Sequence, residues 1–406
     1  MSADTDLRAR ARRVIPGGMW GHLNTSRIAE GYPQFFACGE GAHVWDVNGR
    51  RYVDLMCSWG PIILGHRDPV VEAAAQRQAA LGDCLNGPAP VLVDLAERLV
   101  DRVPAADWAM FQKNGTDATT ACVTIARAAT ERRTILIAHG SYHGSAPWCT
   151  PVPLGTTEAD RPNQLRFTYN NVASLEAAAD AAGADLAGII ITAFRHDNIV
   201  DQELPSLAFA QAARRICDAK GATLILDDVR AGFRLHPGGS WEELGVRPDL
   251  SAWSKAIANG HALGAVTGRD SLRDAASRVF ITGSFWCSAV AMAAALATLD
   301  ELERRDVVGH ITALGETLRA GLEERARAFG VRLRQSGPVA MPLFLFEGDV
   351  DFVAGRAFCA AALHAGAYLH PRHNMFLCAA HTEADIATVL DATEAGFRAI
   401  RRALVA

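Results

Sequence analysis

Lysine is almost missing from this chain: three occur in 406 residues, at 113, 220 and 255, within a Lys+Arg total of 40. Runs of like charge are missing too, and the formal net charge is only −5. That removes the electrostatic case for nucleic-acid or membrane-surface partners. The longest apolar run, Cys287 to Leu299, is alanine-rich and too short to span a bilayer. Residues 1–13 are polar and lack the apolar core of a secretory signal. The nine cysteines show neither a Cys-x-x-Cys unit nor paired spacing, which reads as reduced thiols in a cytoplasmic protein. No Gly-x-Gly-x-x-Gly opens the first strand–helix unit, and His-Glu-x-x-His does not occur. A nicotinamide dehydrogenase and a metal hydrolase are disfavoured accordingly, and no metal is expected.

What is present is a long chain, 50% hydrophobic, that suits one large domain and a smaller one. Residues 4–14 read as a helix, and Gly41 to Leu55 alternates apolar and polar residues around Asn48-Gly49, a hairpin signal. From about 69 to 270, short apolar runs alternate with amphipathic stretches. The strands expected are Trp108–Phe111, Thr134–Ala138, Ala187–Thr192, Thr223–Leu226, Leu250–Trp253 and Leu263–Thr267, with helices near 69–81, 90–102, 117–129, 172–182, 206–219 and 287–303. This is the pattern of an α/β fold with a mostly parallel sheet covered on both faces, which binds ligands at its strands' carboxyl ends. Beyond 306 the pattern is helix, two strands (330–335 and 339–346), helix, a short apolar stretch and a final helix. The expected division is therefore 1–65 and 306–406 in a small α+β domain and 66–305 in the large one.

The scarcity of lysine gives the three that remain some weight. Arginine stays protonated in proteins, whereas lysine can be desolvated, lose its proton and attack a carbonyl. Lys255, in SAWSKAIANG, follows an apolar strand and precedes a glycine, a setting that lowers its pKa toward imine formation; a solvated lysine at a strand end is the plainer reading. Lys220 before Gly221 reads as a helix C-terminal charge and Lys113 as structural. Asp227-Asp228 closes the apolar run Leu224–Leu226, where a carboxylate meets the mouth of a crevice and suits a pyridinium nitrogen, a helix cap, a turn or a metal ligand. Asn114-Gly115-Thr116-Asp117 precedes an alanine-rich helix, the form of a phosphate cradle and equally of an ordinary cap. In Ser141-Tyr142-His143-Gly144, Tyr142 suits stacking on a flat ring and Gly144 a close backbone approach.

Taken in order, SWGPIILGH (58–66), NGTDA (114–118), SYHG (141–144), LDDVRAGFR (226–234) and WSKAIANG (253–260) resemble the class III aminotransferases of pyridoxal 5′-phosphate fold type I, and among them the glutamate-1-semialdehyde aminomutase-like enzymes. The resemblance spans nearly the whole chain. It implies pyridoxal phosphate as cofactor, with Lys255 as its Schiff-base lysine, Asp227 on the pyridine nitrogen, and Val229 and Tyr142 on the two ring faces. Gly115 and Thr116 would hold the phosphate, with Asn114 and His143 beside them. It further implies a homodimer in which Ser284, or Thr282 nearby, reaches the partner's phosphate site. Departures fall on the substrate side. Asn24 stands where the aminomutases carry a carboxylate-anchoring arginine, Thr192-Ala193 replaces a Glu-Pro, and the stretch His370-Pro371-Arg372-His373-Asn374 is shortened. Trp59, Asn24, Arg195, Arg372 and His373 become the candidate substrate contacts. The expected reaction is transfer of an amino group between an amino compound and a keto or aldehyde acceptor. An aminomutase or racemase on the same scaffold is the alternative, and a non-catalytic binding protein would need the lysine to be absent.

Overall fold

The structure, a computed structural model, describes residues 2–196 and 199–404. In chain order the helices are α1 (Ala3–Val14), α2 (Pro69–Leu81), α3 (Val91–Arg102), α4 (Gly115–Thr130), α5 (Val172–Ala182), α6 (Leu207–Lys220), α7 (Arg273–Arg278), α8 (Ala289–Arg304), α9 (Val307–Phe329), α10 (Val353–His364) and α11 (Glu383–Leu404). The strands are β1 (Phe36–Glu40), β2 (His43–Asp46), β3 (Arg51–Asp54), β4 (Trp108–Gln112), β5 (Thr134–Ala138), β6 (Gln164–Phe167), β7 (Leu186–Thr192), β8 (Thr223–Asp227), β9 (Leu250–Trp253), β10 (Gly264–Gly268), β11 (Leu333–Ser336), β12 (Leu343–Phe346) and β13 (Ala367–Tyr368). None of the described helices is long and apolar enough to cross a membrane. The chain divides into two compact units, Met1–Asp68 with Gly309–Ala406, and Pro69–Val308.

The second unit is built on a seven-stranded sheet of order β4-β10-β9-β8-β7-β5-β6. Its pairs are parallel except those of β10, which runs antiparallel to both β9 and β4. Consequently β4 points the same way as β5 through β9, and their carboxyl ends share one edge. The strands read as unbroken apolar runs because both faces are covered. Leu136, Ile189, Ile191, Leu224 and Leu226 pack on Leu175, Phe209 and Cys217 of α5 and α6. Their neighbours Ile135, Ile137, Ile190 and Ile225 point the other way, onto Ala118, Cys122 and Ile125 of α4. Strand β6 was not anticipated: Gln164-Leu165-Arg166-Phe167 is a four-residue edge strand with only Phe167 buried, too short and polar to show a pattern.

In the first unit the expected hairpin forms as β2 and β3, antiparallel, with Gly49 at φ +83 in the turn. Strand β1 adds to β2, and β13 pairs with β3 in parallel, so residues from both ends of the chain share one four-stranded sheet. Phe358 on α10 sits at the centre of an aromatic cluster, 5.3 Å from Phe344 and 4.9 Å from Phe397 between ring centroids. The bare Gly396 makes room for it, since a Cβ there would lie 2.5 Å from the Phe358 ring.

Candidate active site

Within the second unit, the carboxyl ends of β4, β5, β8 and β9 open into a cavity of about 510 Å³. From β4 comes the turn to α4: the Asn114 side chain accepts from the Asp117 N–H at 3.0 Å, capping the helix and leaving Gly115 and Thr116 at its amino end. Gly115 carries no side chain for a physical reason, because a Cβ would meet Val229 at 2.6 Å. After β5, Tyr142 lies half-exposed on the cavity wall, with its hydroxyl pKa raised by burial. Gly144, at φ +122, brings backbone against Thr116 so closely that a Cβ would sit 2.5 Å from the Thr116 Oγ1. That hydroxyl in turn accepts from the Ser145 N–H at 3.2 Å.

At the end of β8, Asp227 is buried and held on both oxygens, each with acceptor capacity left: Oδ1 accepts from the Val229 N–H at 3.1 Å, and Oδ2 lies 2.6 Å from Nδ1 of the buried His143. A carboxylate only accepts, so Nδ1 carries the proton of that bond. The hydroxyl of Thr119 on α4 donates to the His143 carbonyl at 2.6 Å and fixes the backbone from which the ring projects. Asp228 points away from this pair. It accepts from the Ser240 N–H at 2.9 Å and from the Ser240 hydroxyl, and burial pushes its carboxyl up to about 6.

Lys255 begins the turn after β9 with φ +50, a left-handed conformation that a lysine adopts only when its surroundings impose it. Burial pushes its amine down to about 7, helped by the Arg230 charge and opposed by Asp227. Among the lining residues that the sequence had not singled out are two basic side chains. One is Arg230, within the LDDVRAGFR segment; the other is His196, whose pKa burial lowers, aided by the charges of Arg230 and Lys255. The nearest signal for them was the motif that contains Arg230 and the altered Thr192-Ala193, four and three residues before His196.

The remaining candidates lie elsewhere. Thr282 and Ser284 are exposed and do not line this cavity. Arg195 is occupied: it forms an ion pair with Glu203 at 3.0 Å, donates to the Asp201 carbonyl at 2.9 Å, and exchanges backbone hydrogen bonds with Glu203. These bonds hold its guanidinium to its own loop. In the first unit, Asn24 accepts from the N–H and hydroxyl of Ser26 at 3.0 and 2.8 Å, a local cap rather than a cavity contact. Trp59 and Arg372 line a separate cavity of about 1000 Å³ in that unit. Buried His373 stands 4.8 Å from the Trp59 ring, and its Nδ1 is held by the Asn374 carbonyl at 2.6 Å.

One cofactor wants these features together. Pyridoxal phosphate needs an amine able to lose its proton, an acceptor for its ring nitrogen, a flat side chain beside the ring and N–H donors for its phosphate. The second unit supplies Lys255, Asp227, Tyr142 and the start of α4 around one cavity. Enzymes that bind this cofactor on such a sheet make up fold type I, and the present chain is one of them. The family model described as Aminotransferase class-III matches residues 27–382, and the chain belongs to that family. It is 48% identical to the aminopentol aminotransferase of Sphingopyxis macrogoltabida over 98% of this chain and 94% of that protein. The glutamate-1-semialdehyde 2,1-aminomutase of Bordetella avium is 32% identical over 99% of this chain and 100% of its own length. Among solved structures, the pyridoxal phosphate internal aldimine form of the FumI protein of Sphingopyxis sp. MTA144 superposes with a TM-score of 0.98 at 48% identity, covering 99% and 97% of the two chains. The chain is a pyridoxal phosphate-dependent aminotransferase.

Proposed function

We propose that this aminotransferase takes the amino group from a hydroxylated amine of the aminopentol kind and passes it to a keto or aldehyde acceptor, with Lys255 as the cofactor-bearing lysine. The observation that carries the residue assignment is the convergence of Lys255, Asp227–His143 and the Gly115-Thr116 turn on one cavity. The relative at 48% identity supports the donor class, as does Asn24 standing where the related aminomutases hold a carboxylate.

When bound, pyridoxal phosphate supplies an electron sink for the carbon that carries the amine. The protein's own part begins with Lys255, whose amine burial pushes down to about 7, so that a large share is neutral near neutral pH and can both bond the cofactor and, once released, move a proton at the substrate carbon. Asp227 offers its carboxylate to the ring nitrogen, and His143 Nδ1–H steadies that charge from behind. Gly115 and Thr116 present N–H groups and a hydroxyl at the positive end of α4 to the phosphate. Exposed Ser284, or Thr282 nearby, would serve the phosphate site of a second copy, making the working unit a homodimer. Its place is the cytoplasm.

A visible absorbance spectrum of the loaded protein beside Lys255→Ala tests this reading. The expected band is present in the wild type, absent in the variant, and bleached by the true amine donor. If no band forms, the assignment of Lys255 falls. A second reading, aminomutase chemistry, is favoured by the 32% identical relative; it would shift the band without net loss of the amine and would need no acceptor.

A further inference from the structure

The segment that leaves β7 is tied down at successive residues. The Thr192 hydroxyl donates to the Phe194 carbonyl at 2.9 Å, and the Trp241 indole N–H donates to the Ala193 carbonyl at 3.0 Å. Arg195 exchanges backbone hydrogen bonds with Glu203 at 2.8 and 3.1 Å. His196 therefore projects from a fixed stalk. Its ring stands edge-on to the fully buried Phe194, with 5.3 Å between centroids and 76° between planes. The side chain is only 7% exposed and lines the proposed cofactor cavity. Sheet register gives its height there. Thr192 pairs with Asp227 and Asp227 with Ala252, so the three stand level. Lys255 comes three residues after Ala252 and His196 four after Thr192. Both thus lie beyond the Asp227 carboxylate, on the two strands that flank β8.

The ring is neutral and half-partnered. Burial, followed by the charges of Arg230 and Lys255, holds its pKa well below the usual imidazole range. One ring nitrogen meets the residue's own backbone carbonyl, which only accepts, so that nitrogen carries the N–H. The other nitrogen of a neutral imidazole is an acceptor, and it has no partner among the described residues. Such a nitrogen turns away a carboxylate, which likewise only accepts. It also mismatches the ring oxygen of pyridoxal phosphate, a phenol acidified by its cationic ring and so an acceptor at neutral pH. What it suits is an O–H beside the reacting carbon.

We infer that His196 is a specificity residue that accepts a hydrogen bond from a hydroxyl on the carbon next to the donor's amine-bearing carbon. The inference rests on the reading under Proposed function and names the contact by which that site recognises a hydroxylated amine. A site built to bond a hydroxyl discriminates against the analogue lacking it, because its own polar atom is then left buried and bare. The fixed stalk holds the acceptor in place before the substrate arrives, so little ordering remains for the moment of binding.

Single-turnover bleaching of the visible band in the full-length, cofactor-loaded protein tests this, with alaninol as the amine and isopropylamine as its counterpart lacking the hydroxyl. His196→Phe removes the acceptor and His196→Gln keeps one. Unfolding midpoints report their integrity, and His196→Met stands in for His196→Phe if the latter does not fold. The wild type should favour alaninol by about tenfold, as for one buried hydrogen bond. His196→Phe should lose that preference while isopropylamine reacts within about twofold of its wild-type rate. His196→Gln should keep part of it. The loss should appear in the dissociation constant read from the concentration dependence of bleaching, and the resting band should not move. A well-folded His196→Phe that keeps the full preference overturns the inference. So do equal losses with both amines, or a displaced resting band, since each would set the ring against the cofactor instead. A wild-type band that neither amine bleaches sinks the proposed function and this inference together; one that both bleach equally sinks the inference alone.

Discussion

His143 and Asp227 are 84 residues apart in sequence, yet Nδ1 of one lies 2.6 Å from Oδ2 of the other, with both side chains out of water. The Nε2 of His143 is also buried and has no partner among the described residues. The imidazole thus has one hydrogen-bonded neighbour, and the carboxylate it holds is the one that lines the proposed cofactor cavity. Replacing it should leave a buried charge short of a donor, at a cost of about 1–3 kcal/mol. His143→Ala is expected to lower kcat by at least about tenfold, or 1.4 kcal/mol of transition-state stabilisation. His143→Asn, which keeps a donor, should lose less. Steady-state kcat and the visible band of the loaded variants check this; unchanged values for both would remove His143 from the site.

Lys255 gives a pH prediction. Its folded pKa is about 7, against about 10.4 in an unfolded chain. Between those values the unfolded chain binds more protons, so the cofactor-free protein gains stability as pH rises from 7 to 10. Below pH 7 the full penalty is present, at most about 5 kcal/mol and less as solvent reaches the amine. Cofactor-free Lys255→Met should therefore resist denaturant better than the wild type at pH 7, with the difference closing by pH 10. A pH-independent difference would mean that the folded amine keeps its proton.

Gly144 separates strain from collision. Gly144→Ala places a Cβ 2.5 Å from Thr116 Oγ1 and 3.0 Å from the Thr116 Cα at φ +122. Gly245→Ala, at φ +62 with nothing within 4 Å, imposes the backbone strain alone. Both should lose about 1–3 kcal/mol of stability. Only Gly144→Ala should also weaken cofactor binding, by about tenfold or more, because Thr116 must move. Equal cofactor Kd values by fluorescence titration would show that Thr116 does not contact the phosphate.

Arg195 is expected to be structural. Arg195→Ala breaks the Glu203 pair at 3.0 Å and should cost no more than about 1 kcal/mol, as for a partly exposed ion pair. The KM values for amine and acceptor should stay within twofold of wild type. A KM for either that rises tenfold would return Arg195 to the list of substrate contacts.

The legible part of this protein was local. Leu224-Ile225-Leu226 announces a strand buried on both faces because its alternate residues meet different helices, and the structure places them so. Lys255 stood out because arginine replaces lysine almost everywhere else. The turn residues were readable for the same reason: Asn48-Gly49 and Asn114-Gly115 act on their own backbone. Strand β6 escaped because an edge strand of four residues with one buried side chain leaves no periodicity.

The sequence by itself thus determined most of the order of strands and helices and the cofactor chemistry, and it singled out the lysine proposed to serve that cofactor, all of which rest on neighbours along the chain. Only the tertiary structure decided which charges meet. Arg195 and Arg372 look alike as letters, but a bridge to Glu203 neutralises the first, while the second lines a cavity with Arg27 and Arg356. Charge pairing depends on separation through space, and chain separation says nothing about it: 84 residues bring His143 to Asp227, and 345 leave Arg27 and Arg372 on one cavity wall.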